Sequence, residues 1–374
     1  MRVAVVAEFY PRRADPVLGV WAHRQAVATR DAGADVEVFV LHRLIARSPR
    51  GLLALARQPD VMTLDGLRVH YVRYVSPPRG RSYARWGAWA AGALRRALAR
   101  AGRFDLVHAH YAVPAGDAVL RAGVDAPLVV SVHGGDVLWT TSRVPGGREH
   151  VERVFSSARL VIANSAGIER MTREHGASET RVVHLGADIP PAAVPATAPT
   201  IATVGHLVAR KRHADVLQAL AELPGVRYVV IGDGPERPAL ERLAGALGIA
   251  DRVEFTGQLP PAAAQDRLRT AWVMAMPSAE EAFGVAYIEA MAAGIPALGA
   301  AGEPGPEEIA TAGPGIELVP PHDPAALARA LQAMLGDRER RRALSLAAIA
   351  TVEREFTWER CGRRTLDAYE AALR

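Results

Sequence analysis

Short hydrophobic runs alternate with longer segments of helical periodicity over most of the chain. At the N-terminus, the apolar runs 3–7 and 36–41 flank segment 20–32, which has a helical pattern and is followed by Gly33. Strands and helices that alternate in this way are typical of a parallel sheet with right-handed crossovers. The alternation resumes at residue 200 and predicts strands at 200–204, 227–231, 253–256 and 271–276, with helices at 214–221, 239–247 and 285–293. The pattern therefore predicts an α/β protein with two doubly wound halves.

Residues 189–199 separate the two series. They are rich in Pro and Ala and lack periodicity, as a linker does. A chain of 374 residues is long enough for two α/β domains, each with its own core. We therefore predict an N-terminal domain over residues 1–188, a linker over 189–199 and a second domain over 200–355.

The composition is that of a globular protein, with 49% hydrophobic and 23% charged residues. No apolar run reaches the length of about 18 residues that a membrane-spanning helix needs. Residues 1–8 are too few and become acidic too early for a signal peptide, and they fit a first strand instead. The one cysteine, Cys361, excludes an intramolecular disulfide and a thiolate metal cluster. These features predict a cytoplasmic protein.

The two halves of the chain differ in charge. Residues 1–185 contain 26 Arg against 16 Asp and Glu, whereas residues 186–374 contain 19 Arg and Lys against 24. A basic N-terminal half predicts an anionic partner, which would be a phospholipid surface, a lipid-phosphate acceptor or an acidic polysaccharide, unless the charge serves solubility alone. Nucleic acid is disfavoured, because the arginines lack aromatic interleaving and any recognisable binding module.

Segment 43–57 mixes Leu with spaced Arg, as a peripheral membrane contact would. Contact with the cytoplasmic face of an anionic membrane is therefore a hypothesis. Pro49 and Gly51 interrupt the helical pattern, so we expect a solvated loop with one packed turn.

Histidines follow two predicted strands of the N-terminal half. His108 and His110 end the strand at 105–110, and His133 opens a His-Gly-Gly-Asp segment after the strand at 128–132. The carboxyl ends of parallel strands are where α/β sheets bind ligands. We expect His108 and His110 to lie on opposite faces, one in the core and one exposed. A metal site would need a third ligand, for which the sequence offers no fixed spacing.

Two carboxylates occur close together in the stretch 277–296. Glu281 lies in a predicted loop and Glu289 on the following helix, which begins near Phe283, Gly284 and Val285. The N–H groups at a helix start bind phosphate, but carboxylates repel it unless they face other groups such as sugar hydroxyls. A nucleotide sugar offers both kinds of group. The alternative is an ordinary βα unit with two solvated Glu side chains.

The pattern Pro-Ser-x-x-Glu-x-Phe-Gly-x-x-x-x-Glu-Ala-Met-Ala-x-Gly-x-Pro over 277–296 resembles the signature of the retaining glycosyltransferases of family 4. The resemblance implies a GT-B fold, in which two Rossmann-like domains face each other across a cleft. The first domain would bind the acceptor and the second the nucleotide sugar, and residues 356–374 would form a terminal helix that crosses back to the first domain. Such enzymes generally need no metal, which agrees with the absence of Asp-x-Asp from the chain.

The resemblance assigns roles to several residues of this stretch. Glu281 would hold the hydroxyls of the donor sugar and stabilise an oxocarbenium-like centre, either as a nucleophile or beside an acceptor that attacks from the front face. Glu289 would accept hydrogen bonds from the ribose. The N–H groups of Phe283, Gly284 and Val285 would stabilise the departing diphosphate. By the same resemblance, His133 would lie beside the donor sugar and the reaction centre.

A second group of cations follows the strand at 200–204. Lys211 is the only lysine of the chain and matches the lysine of the family pattern, where it would bind the diphosphate. His206 stands where the family usually has Arg, so Lys211 would carry more of that charge, with help from His206 or Arg210.

Four further residues are expected to line the donor by the same resemblance: Gly19, Gly234, Gln258 and Leu259. Gly19 precedes the first helix, where it is either a ligand contact or a turn residue. The turn that contains Gly234 lacks the third glycine of a dinucleotide site, since Arg237 stands there.

The predicted activity is transfer of a sugar, with retention, from a UDP-type or GDP-type donor to a hydroxyl acceptor, which would be a glycan or lipid-linked glycan of the cell envelope or a small molecule. Two alternatives stay open: a nucleotide-sugar 2-epimerase of the same fold, and a catalytically silent nucleotide-sugar or glycan-binding protein. A hydrolase is disfavoured although Ala163-x-Ser165-x-Gly167 is a near match to a nucleophile elbow. We expect Ser165 to cap the next helix instead.

Overall fold

A computed structural model describes residues 1–45, 49–191 and 193–374, with the side chains of 49, 50 and 52 excepted. The chain divides into two compact units. Unit 1 comprises Met1–Leu185 with Trp358–Arg374, and unit 2 comprises Gly186–Thr357.

Unit 1 contains a sheet of eight strands in the order β3-β4-β2-β1-β5-β6-β7-β8. All neighbouring strands are parallel except β3 and β4. The strands are β1 (Arg2–Ala7), β2 (Asp35–Arg43), β3 (Val61–Leu64), β4 (Leu67–Tyr74), β5 (Leu106–His110), β6 (Leu128–Val132), β7 (Leu160–Ala163) and β8 (Thr180–Val182). The helices of this part of the chain are α1 (Val20–Asp31), α2 (Pro49–Arg57), α3 (Arg79–Ser82), α4 (Trp86–Ala101), α5 (Asp117–Ala122), α6 (Thr141–Arg143), α7 (Gly147–Ser157) and α8 (Ala166–Glu174).

Unit 2 contains a parallel sheet of six strands in the order β11-β10-β9-β12-β13-β14. This is the doubly wound order in which ligands bind at the carboxyl ends of the strands. The strands are β9 (Thr200–Val204), β10 (Arg227–Ile231), β11 (Val253–Gly257), β12 (Val273–Ala275), β13 (Ala297–Ala300) and β14 (Ile316–Val319). The helices are α9 (His213–Ala221), α10 (Arg237–Ala246), α11 (Pro261–Leu268), α12 (Val285–Ala292), α13 (Pro304–Ala312), α14 (Pro324–Gly336) and α15 (Arg338–Glu355).

The last helix, α16 (Trp358–Leu373), belongs to unit 1. It packs against α1, and Gly362 permits the contact because a Cβ atom there would lie 2.1 Å from the Ala28 carbonyl oxygen. Tyr369 is 1% exposed and extends the core that Val3 and Val38 form on the sheet. The C-terminal segment is therefore part of the unit 1 core.

One local prediction is wrong. Segment 49–57 forms helix α2 where the sequence favoured a loop with one packed turn. Pro49 is the first residue of that helix, a position at which the missing N–H has no intrahelical acceptor and costs nothing. The membrane hypothesis for 43–57 includes residues 46–48, which lie outside the described residues. In the described part of the chain, no helix is both long enough and apolar enough to cross a membrane.

Candidate active site

The loop after β12 is shaped by a glycine at the start of α12. Gly284 precedes Val285 with φ of 85°, and a Cβ atom there would lie 2.4 Å from the Tyr287 ring. Phe283 is 1% exposed, and its ring lies 5.7 Å from that of Phe356. The left-handed Gly284 is therefore the N-cap of α12, which begins at the carboxyl edge of the sheet. A helix start at this edge favours an anion.

Lys211, which follows β9, forms an ion pair with Glu281 of this loop. Lys211 Nζ lies 2.5 Å from Glu281 Oε2, and the two side chains are 12% and 10% exposed. Ser278 Oγ donates a second hydrogen bond to Glu281 Oε2 over 2.9 Å. Burial raises the pKa of Glu281, but Lys211, Arg210 and the Ser278 hydrogen bond outweigh burial and hold that pKa below its usual value. Glu281 is therefore an ionised acceptor beside a cation.

Residues 206–211, here called the cation segment, are joined by a backbone hydrogen bond to residues 277–284, the loop that carries Glu281. A turn of 3₁₀ helix spans Ala209–Lys211, and the Ala279 N–H donates to the Arg210 carbonyl over 2.7 Å. The side chains of Arg210 and His206 are exposed. The structure thus brings Arg210 and Lys211 next to Glu281 and leaves the His206 side chain at the surface beside them.

Gly234 lies against the same cation segment. A Cβ atom on Gly234 would be 2.4 Å from the Leu207 carbonyl oxygen, so close packing of two loops requires glycine here. Backbone hydrogen bonds join Leu207 to Asp233 and to Glu236.

Gln258 and Leu259 follow β11, the edge strand of the sheet, with Gln258 exposed and Leu259 half-buried. Glu289 lies half-buried on the second turn of α12.

Two residues that the sequence reasoning missed support Glu281. Glu303 Oε2 accepts the backbone N–H of Glu281 over 2.9 Å, and the Gly305 N–H donates to the Glu281 carbonyl over 2.9 Å. Ser278, named only as part of the family pattern, donates to the Glu281 carboxylate. Glu303 is separated from Glu281 by strand β13, so no local spacing pointed to it.

His133 lies at the carboxyl end of β6 in unit 1. Its Nε2 atom is 2.9 Å from His110 Nδ1, and the two rings are inclined by only 4°. Burial lowers the pKa of His133 to about 3, so the imidazole is neutral at physiological pH. Its Nδ1 atom is buried and has no hydrogen-bond partner among the described residues. His133 can therefore offer one neutral hydrogen-bonding group.

The prediction that His108 and His110 lie on opposite faces is wrong. Both are 1% exposed, and their ring centroids are 4.6 Å apart. Residues two apart in a strand share a face, because successive side chains alternate. The two ring nitrogens of His108 each form a hydrogen bond: Nε2 lies 2.7 Å from Ser131 Oγ, and Nδ1 lies 2.6 Å from Tyr369 OH.

Gly19 and Asp136 lie at the same edge of the unit 1 sheet. Gly19 has φ of 64°, and a Cβ atom there would be 2.2 Å from the Phe9 carbonyl, so packing within the chain accounts for the glycine. Asp136 is fully buried, and its Oδ1 accepts the N–H groups of Ala112 and Val113. Burial raises the pKa of Asp136 to about 7.

Ser165 caps α8 as predicted, since its side chain accepts the Ile168 N–H.

Two family models match the chain and together cover most of it. "Glycosyltransferase Family 4" matches residues 18–189, and "Glycosyl transferases group 1" matches residues 187–351. A D-inositol 3-phosphate glycosyltransferase of Xylanimonas cellulosilytica is 32% identical over 92% of this chain and 93% of its own length. A 2-deoxystreptamine N-acetyl-D-glucosaminyltransferase of Streptomyces fradiae is 30% identical over 76% of this chain and 74% of its own length.

Solved structures agree with the fold. A sucrose-phosphate synthase of Thermosynechococcus elongatus superposes with a TM-score of 0.82 at 22% identity, over 99% of this chain and 98% of its own. Anabaena HepE in complex with UDP and glucose superposes with a TM-score of 0.76 at 20% identity, over 99% of both chains. The fold is the GT-B fold of glycosyltransferases. The chain belongs to glycosyltransferase family 4 and is an enzyme of that class.

Proposed function

We propose that the chain is a retaining, metal-independent glycosyltransferase that moves a sugar from a nucleotide diphosphate sugar to a hydroxyl acceptor. The observation that carries this proposal is the Lys211–Glu281 pair, which holds a cation and an ionised carboxylate 2.5 Å apart next to the start of α12. A cation at a helix start suits a diphosphate, and a carboxylate acceptor suits sugar hydroxyls.

In the proposed reaction, the bond between the sugar C1 and the diphosphate oxygen breaks as the acceptor oxygen bonds to C1 from the same face, and the proton of the acceptor hydroxyl passes to the departing diphosphate oxygen. Negative charge grows on the leaving diphosphate, where Lys211 and the N–H groups at the start of α12 stabilise it. Glu281 faces the positive charge that develops at C1, and Glu289 binds the ribose. His133 positions the sugar through a neutral imidazole, which adds no charge that would compete with Glu281.

The donor base and the acceptor are finer points of the same proposal. UDP is the favoured nucleotide, since the HepE structure contains UDP, and GDP is the second choice. A cell-envelope glycan, free or lipid-linked, is one acceptor class. The names of the two relatives favour a second class, a small cyclic polyol such as inositol phosphate or 2-deoxystreptamine.

Calorimetric titration of the protein with UDP, GDP and ADP in the presence of EDTA tests the donor site. We expect one nucleotide to bind and Lys211→Ala to weaken it, whereas the exposed Arg242→Ala leaves it unchanged. Binding only after Mg²⁺ is added would contradict metal independence. No binding by any nucleotide would contradict the donor site.

Incubation with the selected nucleotide sugar tests the reaction itself. With an acceptor present, the product should have the anomeric configuration of the donor, as NMR couplings report. Conversion of the donor to its C2 epimer without acceptor would instead identify the epimerase. Tight binding without turnover on both acceptor classes would identify a silent binding protein.

A further inference from the structure

A cavity lies in unit 2, apart from the candidate active site, between residues 193–195 before β9 and the first turns of α15. Its volume is about 250 Å³. Arg338, Arg341 and Arg342 line one wall, and Trp272 and Leu346 supply apolar surface. No acidic residue of the described chain lines it. The cavity is therefore cationic, although the half of the chain that contains it has more acidic than basic residues.

The three arginines share one face of α15, because they are spaced by three and four residues. They also occupy its first two turns, where the helix dipole disfavours positive charge. Partial burial and the nearby Arg338 lower the pKa of Arg341, and the Asp337 carboxylate opposes them in part. The Asp337 carboxylate, which caps α15, offsets part of the repulsion among the three guanidinium groups, and an anion bound between Arg338 and Arg342 would offset more of it.

One of the three arginines forms hydrogen bonds within the chain, and two have donors available for a ligand. The Arg341 guanidinium lies 4.2 Å from the Trp272 ring centroid and donates to the carbonyls of Met334 and Leu335. Arg338 and Arg342 are exposed, and neither forms an ion pair with any residue the structure describes. A guanidinium with unused N–H donors binds phosphate in a bidentate manner.

We propose that this cavity is a binding site for a small organic phosphate, separate from the donor site. The phosphate would lie between Arg338 and Arg342, and the organic part would contact Leu346 and the edge of Trp272. Gly294, which follows the C-terminal end of α12, also lines the cavity. The ligand would thus contact the far end of the helix that carries Glu289.

Titration with phenyl phosphate and with inorganic phosphate tests the site in the full chain. We expect saturable binding of phenyl phosphate that weakens at least tenfold in the double variant Arg338→Ala/Arg342→Ala. Both side chains are exposed, so the variant should fold, and circular dichroism checks this. The exposed Arg329→Ala on α14 is the matched control. Lys211→Ala should also leave the binding unchanged, which separates this site from the donor site.

A second readout comes from Trp272 itself. In protein labelled with 5-fluorotryptophan, the ¹⁹F resonance that Trp272→Phe removes should shift on phenyl phosphate addition, and should not shift in the double variant. Equal binding by the wild type and the double variant would overturn the proposal. So would binding that Lys211→Ala abolishes.

Vesicles distinguish a soluble phosphate from a lipid headgroup. We expect phosphatidylglycerol vesicles to bind the wild type and the double variant equally, as phosphatidylcholine vesicles should. Vesicle binding that needs Arg338 and Arg342, without phenyl phosphate binding, would replace the soluble ligand by a membrane surface and overturn the proposal.

Discussion

Lys211 Nζ lies 2.5 Å from Glu281 Oε2, and both side chains are nearly buried. The only lysine of the chain is therefore paired with the carboxylate that the family pattern places at the reaction centre. Each group depends on the other, because removal of one partner leaves a buried charge without compensation.

This coupling predicts a non-additive mutant cycle. Lys211→Met should lower the free energy of unfolding by about 3 kcal/mol, as loss of one partner of a buried ion pair does. The double variant Lys211→Met/Glu281→Gln should recover much of that loss, because no charge stays buried. Urea unfolding of the four proteins measures the coupling, and strict additivity would contradict it.

The same pair predicts a pH dependence. Because Lys211 holds the pKa of Glu281 below its usual 4.5, the ionised carboxylate contributes stability that is present above pH 4.5 and is lost as the pH falls through the lowered value. The free energy of unfolding of the wild type, measured with urea, should therefore exceed that of Lys211→Met by a smaller margin below pH 4.5 than above it. A difference in the free energy of unfolding that stays constant from pH 7 to pH 3 would show that ionisation of Glu281 is not its cause.

Glu281 and Glu289 should differ in function. Glu281→Gln should lower turnover by about 100-fold with little change in nucleotide affinity, because in the proposed reaction its charge faces the transition state. Glu289→Gln should weaken nucleotide binding by about tenfold, because the proposed site would lose one charged hydrogen bond to the ribose. The exposed Glu353→Gln serves as a control. Equal effects of both substitutions on turnover and affinity would refute this division.

Asp136 should make unit 1 less stable as the pH rises. Its pKa is about 7 in the folded chain against 3.8 ordinarily, so the folded state binds more protons between these values, and stability falls from pH 3.8 to about 7. Asp136→Asn retains an oxygen for the Ala112 and Val113 N–H groups and cannot ionise. We expect its stability advantage over the wild type to grow from pH 5 to pH 7 and then level off, as urea unfolding at each pH reports.

His42 should make the protein less stable as the pH falls. It is 3% exposed, neither ring nitrogen has a partner among the described residues, and burial lowers its pKa to about 4. The unfolded chain takes up a proton below pH 6.5 while the folded chain does not until about 4, so stability falls on acidification within this window. His42→Leu should reduce that slope by up to about 1.4 kcal/mol per pH unit. His42→Phe should do the same, and an unchanged slope in both would contradict the prediction.

Much of the secondary structure followed from the sequence, because periodicity and end signals act locally. Strands β9 and β10 have the predicted bounds, and α12 ends before Gly294 as expected. The errors were also local in origin. Pro49 was taken to interrupt a helix that it begins, and the two histidines of β5 were assigned to opposite faces although strand geometry places them together.

The sequence alone determined the α/β class, the family and the residue types of the candidate site, since these depend on periodicity and on one contiguous pattern over 277–296. Only the tertiary structure decided which of those residues meet. Lys211 and Glu281 are 70 positions apart, and Glu303, which accepts the Glu281 N–H, follows Glu281 by 22 positions. Such contacts arise because parallel strands bring their carboxyl ends to one edge of a sheet, which no local pattern encodes.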